Sequence, residues 1–459
     1  MRSLAVRIEI RMTQDRFKSQ SLWRPALLGW GLLWGAWVGI TEGRSAELPT
    51  LVQAMQLAQE ASTANQESDL PTAMEKLEAA VSLRPDLPRL LHRLAVIQVK
   101  ADQFEGARET LGRLAAMGLG LSASELDDLS AIRTRPEFSD VLKQLSVNLR
   151  SKGKGDLAFS LQGVTGLIEG IAWRESSGEF YFGDANSRAV WMRNKDNTLR
   201  RLTPEGDELL GVLGLVIDET KGSVWAATAA VRAMRGYTSD QEGSSELAEI
   251  DLASGAIRQI IAVPQRAGGP SVSALGDLAL DADGGIFATD RGEPVIWYLP
   301  PGANVMKPFA ESSEFVSLRG LALMNGALIV ADHLNGLLRV DRDDGSVELL
   351  ELPADVTLVG ISGLVRVSDD VLLAMQGGVN PSRILRIRLD PRAEAVTSVT
   401  VLESGHLTMS APSLGCIGTG GDLFFIGNAP WSRFEQTGGQ PTSPRPVPVF
   451  RTKADAGGP

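Results

Sequence analysis

From 47 to about 147, apolar residues recur at spacings of three and four in a stretch rich in Ala, Leu, Glu and Arg. That spacing predicts amphipathic helices. Within this stretch Ala73, Leu77, Ala80 and Pro85 fall at the offsets of the second helix of a tetratricopeptide repeat, and Ala107, Leu111 and Leu114 return 34 residues later. Small residues at the first position let paired helices approach closely, and Pro85 stops its helix because proline cannot continue the hydrogen-bond ladder. Two further helical segments, Ser124 to Ile132 and Glu137 to Leu145, are expected to cap so short an array. The module is read either as a partner-binding groove or as a unit that packs against the next domain.

After a Lys- and Gly-rich linker over 151–155 the pattern changes to that of strands. Six segments align: EGIAWRESSGEFYFGD from Glu169, LGLVIDETKGSVWAAT from Leu213, GDLALDADGGIFATD from Gly276, RGLALMNGALIVAD from Arg319, SGLVRVSDDVLLAMQ from Ser362 and SLGCIGTGGDLFFIGN from Ser413. Each reads as a strand, a turn of Gly, Asn or Asp, and a second, more apolar strand. After each of the first five come two more strands, and in the sixth the outer strand is expected at Val447 to Thr452. Four-stranded units recurring at intervals of roughly 43 to 63 residues predict a six-bladed β-propeller, because each small sheet must stack on neighbours to bury both faces. A sandwich or two separate β domains is the alternative. The expected fold class is therefore a small all-α tetratricopeptide-like domain over 47–150 followed by an all-β propeller over 156–434. A Pro/Gly-rich tail over 435–459 contains the closing strand at 447–452, and Leu157 to Leu161 is expected to help close the ring.

Composition narrows the function classes. A formal charge of -11 argues against a duplex nucleic-acid partner, which requires a basic footprint to displace counterions. The first 24 residues carry five Arg and one Lys against Glu9 and Asp15, and an uncharged apolar run over 25–40 follows, with small residues at Gly43 and Ser45. Residues 1–46 are read as an export signal, with Met1 or Met12 as the start and a retained membrane anchor as the alternative. The expected localisation is periplasmic or secreted. Cys416, the single cysteine, is expected to be an inert core thiol.

In a propeller, the start of each innermost strand and the end of the second strand share one face at the mouth of the central channel. The first ring of positions is Glu169, Leu213, Gly276, Arg319, Ser362 and Ser413; the second is Asp184, Thr228, Asp290, Asp332, Gln376 and Asn428. Ligand-binding candidates drawn from these rings are Arg319, Ser362, Ser413, Asp290, Asp332 and Gln376, although Asp and Asn also favour turns. The loop after Thr228 is long enough to be a lid, which would add Arg232, Arg235 and Tyr237, with Arg291, Asn380 and Trp431 from other blades. Arg, aromatic and amide groups together suit a polar or anionic ligand with a flat part. Among His92, His333 and His406, only His333 stands at this face, as a candidate base or ligand contact. A Ser-x-x-Lys match at Ser151 and two Asp-rich turns from Asp281 and Asp341 are read as a linker and hairpin turns.

At these residues the chain resembles the family of senescence marker protein, gluconolactonase and luciferin-regenerating enzyme, and within it the exported branch with a tetratricopeptide-like segment in front. EGIAW, LGDLALDADG, GLALMNGALIVAD and PSRILRIRLD carry the resemblance. It implies lactone or ester hydrolysis with one divalent cation, usually calcium, held by a Glu, two Asn and an Asp ahead of inner strands. Hard oxygen ligands of that kind suit a cation that polarises a carbonyl or phosphoryl oxygen. Glu169 matches the glutamate, Gly276 stands at an Asn position with Asp277 beside it, Arg319 replaces the second Asn and Ser362 replaces the Asp. A guanidinium cannot ligate a cation and repels it at close range, so Arg319 is expected to pair with Glu169 and present its remaining donors to a carboxylate or phosphate. The reading is a protein that binds a small polar or anionic molecule, or a peptide, in the channel. The alternative is a metal-dependent lactone or ester hydrolase in which Glu169 and Asp277, with ring carboxylates such as Asp290 or Asp332, rebuild the metal site and Glu169, Asp277 and His333 carry the chemistry, and a third is an interaction scaffold using the helical module.

Overall fold

The computed structural model describes residues 48–153, 155–164, 166–206, 208–266, 272–324, 326–440 and 445–454. The expected export segment over 1–46 lies outside the described residues. Among the described residues, no helix is long and apolar enough to cross a membrane.

The helical periodicity resolves into α1 (Thr50–Gln66), α2 (Leu70–Leu83), α3 (Pro88–Lys100), α4 (Phe104–Ala116), α5 (Ala123–Asp128) and α6 (Ser139–Asn148). Asp69 caps α2 by accepting from the Thr72 amide at 3.1 Å, and Ser122 and Glu125 form a reciprocal capping box on α5. Ala73, Leu77 and Ala80 on α2, and Ala107, Leu111 and Leu114 on α4, are all buried in one apolar core.

The strands form six antiparallel four-stranded sheets. Blade 1 runs Ile168–Arg174, Glu179–Asp184, Ala189–Arg193 and Leu199–Arg201; blade 2 runs Gly211–Asp218, Ser223–Ala229, Ser245–Asp251 and Ile257–Ala262. Blade 3 runs Leu275–Leu280, Ile286–Asp290, Val295–Leu299 and Lys307–Glu311; blade 4 runs Leu318–Met324, Ala327–Asp332, Gly336–Asp341 and Val347–Leu349. Blade 5 runs Ile361–Ser368, Val371–Gln376, Arg383–Leu389 and Val396–Ser404. In blade 6 the inner strand is Gly415–Ile417, followed by Asp422–Ile426 and Val447–Lys453, and the outermost strand is Asp156–Leu161. Val447–Lys453 is thus the third strand of blade 6, not the outer one. It pairs with Asp422–Ile426 on one side and with Asp156–Leu161 on the other, so the ring closes on an N-terminal strand.

Among the described residues the six sheets are separate apart from one isolated parallel bridge, Glu351–Ala395, between blades 4 and 5, so the junctions depend chiefly on apolar packing. One buried cluster fills each of the six junctions, including that between blades 6 and 1. Burying one Leu, Val or Phe contributes about 1.5–3 kcal/mol, so these clusters outweigh any single polar contact between blades.

The helical module and the propeller belong to one compact unit. Val316, Leu334, Val359 and Val379, from loops of blades 4 and 5, pack on the helical core. Arg84, buried at 2% exposure, donates to Asn335 Oδ1 at 2.5 Å and to the Asn335 carbonyl at 3.0 Å, while Asp86 holds its other edge. Arg383 donates to the Met117 carbonyl at 2.8 Å, and the Gly120 amide donates to the Asn380 carbonyl at 2.9 Å. These blade loops follow second strands or precede inner strands, so the helices sit on the channel-mouth face beside blades 4 and 5.

Candidate functional site

In each of the first five blades the pairing of the inner strand slips near its start: Ile168/Gly170, Val212/Leu215, Leu275/Leu278, Leu318/Leu321 and Ile361/Gly363. These bulges contain Glu169, Leu213, Gly276 with Asp277, Arg319 and Ser362. A bulge leaves a residue outside the ladder and re-aims its side chain. Gly320, in the blade 4 bulge with Arg319, lets neighbouring strands close up, since a Cβ there would lie 2.7 Å from the Leu364 amide nitrogen.

Arg291 follows Asp290 at the end of the second strand of blade 3 and reaches across the channel mouth. Its Nη1 donates to Glu169 Oε1 at 3.0 Å, and its guanidinium lies 5.0 Å from the Trp431 ring. The aliphatic stem passes over Gly276, where a Cβ would meet the Arg291 Cγ at 2.9 Å. Glu169 Oε2 is buried and has no partner among the described residues. The expected Arg319–Glu169 pair is therefore corrected: Glu169 pairs with Arg291. Glu169 and Arg319 stand on blades 1 and 4, opposite one another in a six-membered ring, whereas Arg291 starts from the flank and spans the gap.

Arg319 makes its hydrogen bond through the main chain, its carbonyl accepting from Thr289 Oγ1 at 2.6 Å. Among the described residues its guanidinium has no hydrogen-bond or ion-pair partner. Burial and the charge of Arg291 push its pKa down to about 9, opposed by Glu169, Asp332 and Glu435, so it remains a cation at neutral pH. Asp277 lies in the same field. Its carboxylate accepts from the amides of Leu278 at 2.9 Å and Leu321 at 3.4 Å, and burial, aided by the Glu169 charge, raises its pKa to about 7. His333 is pressed down to about 4 by burial and by the charges of Arg319, Arg291 and Arg89 of α3, which keeps it neutral, and its buried Nδ1 has no hydrogen-bond partner among the described residues.

The arrangement does not fit a divalent cation. One oxygen of Glu169 is committed to Arg291, the neighbouring ligand position is a glycine under the Arg291 stem, and Arg319 adds a second positive charge. Among the described residues no group of three or more His, Cys, Asp or Glu is placed to hold a metal.

A family model described as tetratricopeptide repeat matches residues 64–119. No curated protein matches the chain. Similar solved structures include a gluconolactonase from Xanthomonas campestris, at 16% identity over 62% of this chain and 86% of that one, with a TM-score of 0.43. They also include a luciferin-regenerating enzyme, at 15% identity over 63% and 92% with a TM-score of 0.43. A virginiamycin B lyase from Staphylococcus aureus follows at 18% identity over 61% and 82%, with a TM-score of 0.41. The assignment as a six-bladed propeller rests on the strand order itself.

The second ring of residues has a different task from the expected one. Asp290, 1% exposed, accepts from the amides of Ala274, Gly292 and Glu293, from Ser273 Oγ at 2.5 Å and from Trp297 Nε1 at 3.0 Å. Asp332 accepts from the amides of Val316, Ser317, Leu334 and Asn335, and Asp184 is held in the same way in blade 1. Gln376 donates to the carbonyls of Thr357 and Val359 and accepts from Arg383 Nε. These side chains bind their own loops, so Asp290, Asp332 and Gln376 are corrected from ligand contacts to staples that tie the turn after the second strand to the approach of the inner strand.

The remaining candidates divide. Trp431 is brought to the site through Arg291, whereas Asn380 is exposed and its carbonyl is used by the helical module. Ser413 is buried beside the short inner strand of blade 6, and Ser362 occupies the blade 5 bulge. The loop after Thr228 is not a free lid: Ala233 and Met234 are fully buried, and Ala233 packs with Leu213, Ala429 and Phe434. Phe434 belongs to α7 (Trp431–Gln436). Arg232 on this loop is exposed, 3.9 Å from Glu242, and Tyr237 is half-buried. Sequence patterns did not reveal Arg89 or Glu435 as members of the site's electrostatic field, because both reach it from other parts of the chain.

Proposed function

We propose that the channel mouth binds a small anionic molecule, a carboxylate or phosphate ester, with Arg319 as the principal charge contact. The observation that carries this reading is the Arg319 guanidinium, in the channel without a hydrogen-bond or ion-pair partner among the described residues, beside an Arg291–Glu169 pair that already uses one oxygen of the nearby carboxylate. The unpartnered Glu169 Oε2 and His333 Nδ1 offer acceptors for hydroxyl groups on the same ligand. A charge-assisted hydrogen bond contributes about 1.5–3 kcal/mol, roughly 10- to 100-fold in affinity. Calorimetric titration with inorganic phosphate, citrate and gluconate tests it. Wild type should bind at least one probe below about 10 mM and Arg319→Gln should lose at least about tenfold; equal binding by both proteins, or none by wild type, rejects the reading. The basic first 24 residues and the apolar run over 25–40 support export, to be checked by cell fractionation and sequencing of the mature N-terminus.

A further inference from the structure

The face opposite the channel mouth carries a second concavity at the seam where the ring closes. Its origin is local. The inner strand of blade 6 stops after three residues at Ile417, and a turn with Gly420 and Gly421 at φ 72° and 74° follows, so no side chains fill the space that longer inner strands fill elsewhere. What remains is a groove of about 540 Å³ between blades 6 and 1. Its floor is aromatic: Phe180 is the hub, with ring centroids 4.5 Å from Trp173, 5.4 Å from Phe159 and 4.9 Å from Phe424. Its rim is basic. Arg193 lies 3.7 Å above the Phe159 ring, Lys195 is exposed beside it, and among the described residues Glu175 is the single acid of the lining. Among the described residues the Arg193 guanidinium is hydrogen-bonded only to the neutral Asn197 amide oxygen, with no carboxylate against it. Arg451, the third basic residue, is already balanced by Asp156 and Asp422.

We propose that this groove is a binding site for a flat aromatic molecule bearing a carboxylate or sulfonate, its ring against Trp173 and its acid group toward Lys195 and toward Arg193, which itself stacks on Phe159. A volume of this size matches drug-sized ligands, and stacking on aromatic faces beside a cation favours planar anions. The site is separate from the channel mouth and independent of the function proposed there. Because Phe159 belongs to the strand that closes the ring, a ligand here also fastens the seam.

Binding of 2-naphthoate and of its uncharged analogue 2-naphthylmethanol to the full chain, measured by equilibrium dialysis, tests the proposal. Wild type should bind naphthoate saturably below about 1 mM and at least about tenfold tighter than the alcohol. Lys195→Glu combined with Arg193→Gln should remove that preference and leave alcohol binding in place, and Trp173→Leu should weaken both. No saturable binding, equal affinity for acid and alcohol, or loss of naphthoate in Arg319→Gln would each overturn it, the last by assigning the probe to the channel mouth.

Discussion

Asp290 and Glu169 are both buried acids on the same face of the ring, and they are engaged in opposite ways. Asp290 is surrounded by three amides, a hydroxyl and an indole from its own blade, whereas Glu169 has one oxygen on an arginine two blades away and the other without a hydrogen-bond partner among the described residues. A carboxylate filled by local donors is a structural fastener. One whose remaining valence faces the channel retains interactions for something else. Position and burial are alike in the two cases, so only the count of donors separates them.

The largest expected effect breaks the fastener. Asp290→Ala leaves five donors in and around a buried loop without their acceptor and should destabilise the protein by about 3–5 kcal/mol in urea unfolding. A loss below about 1 kcal/mol together with lost anion binding would exchange the roles of the two rings.

A second experiment sharpens the other side. Calcium should leave the melting temperature of wild type unchanged, because Arg291 and Arg319 supply the positive charge at Glu169. Replacing both, as Arg291→Asn with Arg319→Asn, frees the Glu169 carboxylate beside Asp277 and should create calcium-dependent stabilisation, about 2.7 kcal/mol at a hundredfold excess over the dissociation constant. A calcium-dependent rise in the wild type would show that the arginines do not exclude the cation.

The smallest effect is in the pH dependence. Asp277 has a folded pKa raised to about 7, so its contribution is fully present below its unfolded value and is lost as pH rises through 7. His333, lowered to about 4, works in the other direction: its contribution is present above about 6.5 and is lost as pH falls through 4. Between about pH 4 and 6.5 the two slopes oppose, each at most about 1.4 kcal/mol per unit. Wild-type stability should be nearly level there, Asp277→Asn should expose a rise with pH, and His333→Gln a fall. Parallel curves for all three proteins would place both groups in ordinary solvent.

The fold was readable because its information is local. Alternating apolar residues, the turns of Gly, Asn and Asp and the 34-residue helical offset each report on neighbours in sequence, and they locate the helices and the inner and second strands of every blade. The order of strands in blade 6 was less accessible: Leu157 to Leu161 and Val447 to Thr452 have similar apolar patterns, and pairing across so long a separation leaves no mark in either segment. At the site, the bulge positions could be read from the repeat, which found Glu169, Asp277 and Arg319. Pairing could not. The reach of Arg291 over Gly276 depends on a long side chain crossing between blades, and the filling of Asp290 and Asp332 depends on backbone amides that every residue possesses.

The seam of blade 6 sets a timetable for synthesis. Asp156–Leu161 leaves the ribosome immediately after the helices, yet the strand it pairs with, Val447–Lys453, lies nearly the whole propeller later. At about 5–20 residues per second the interval is roughly 15–60 s. Throughout it one strand edge waits uncovered while five blades are completed, and the helical module, able to gather its own core from the start, is the only finished domain beside it. The last event of folding is thus the return of the chain to a place it had already passed.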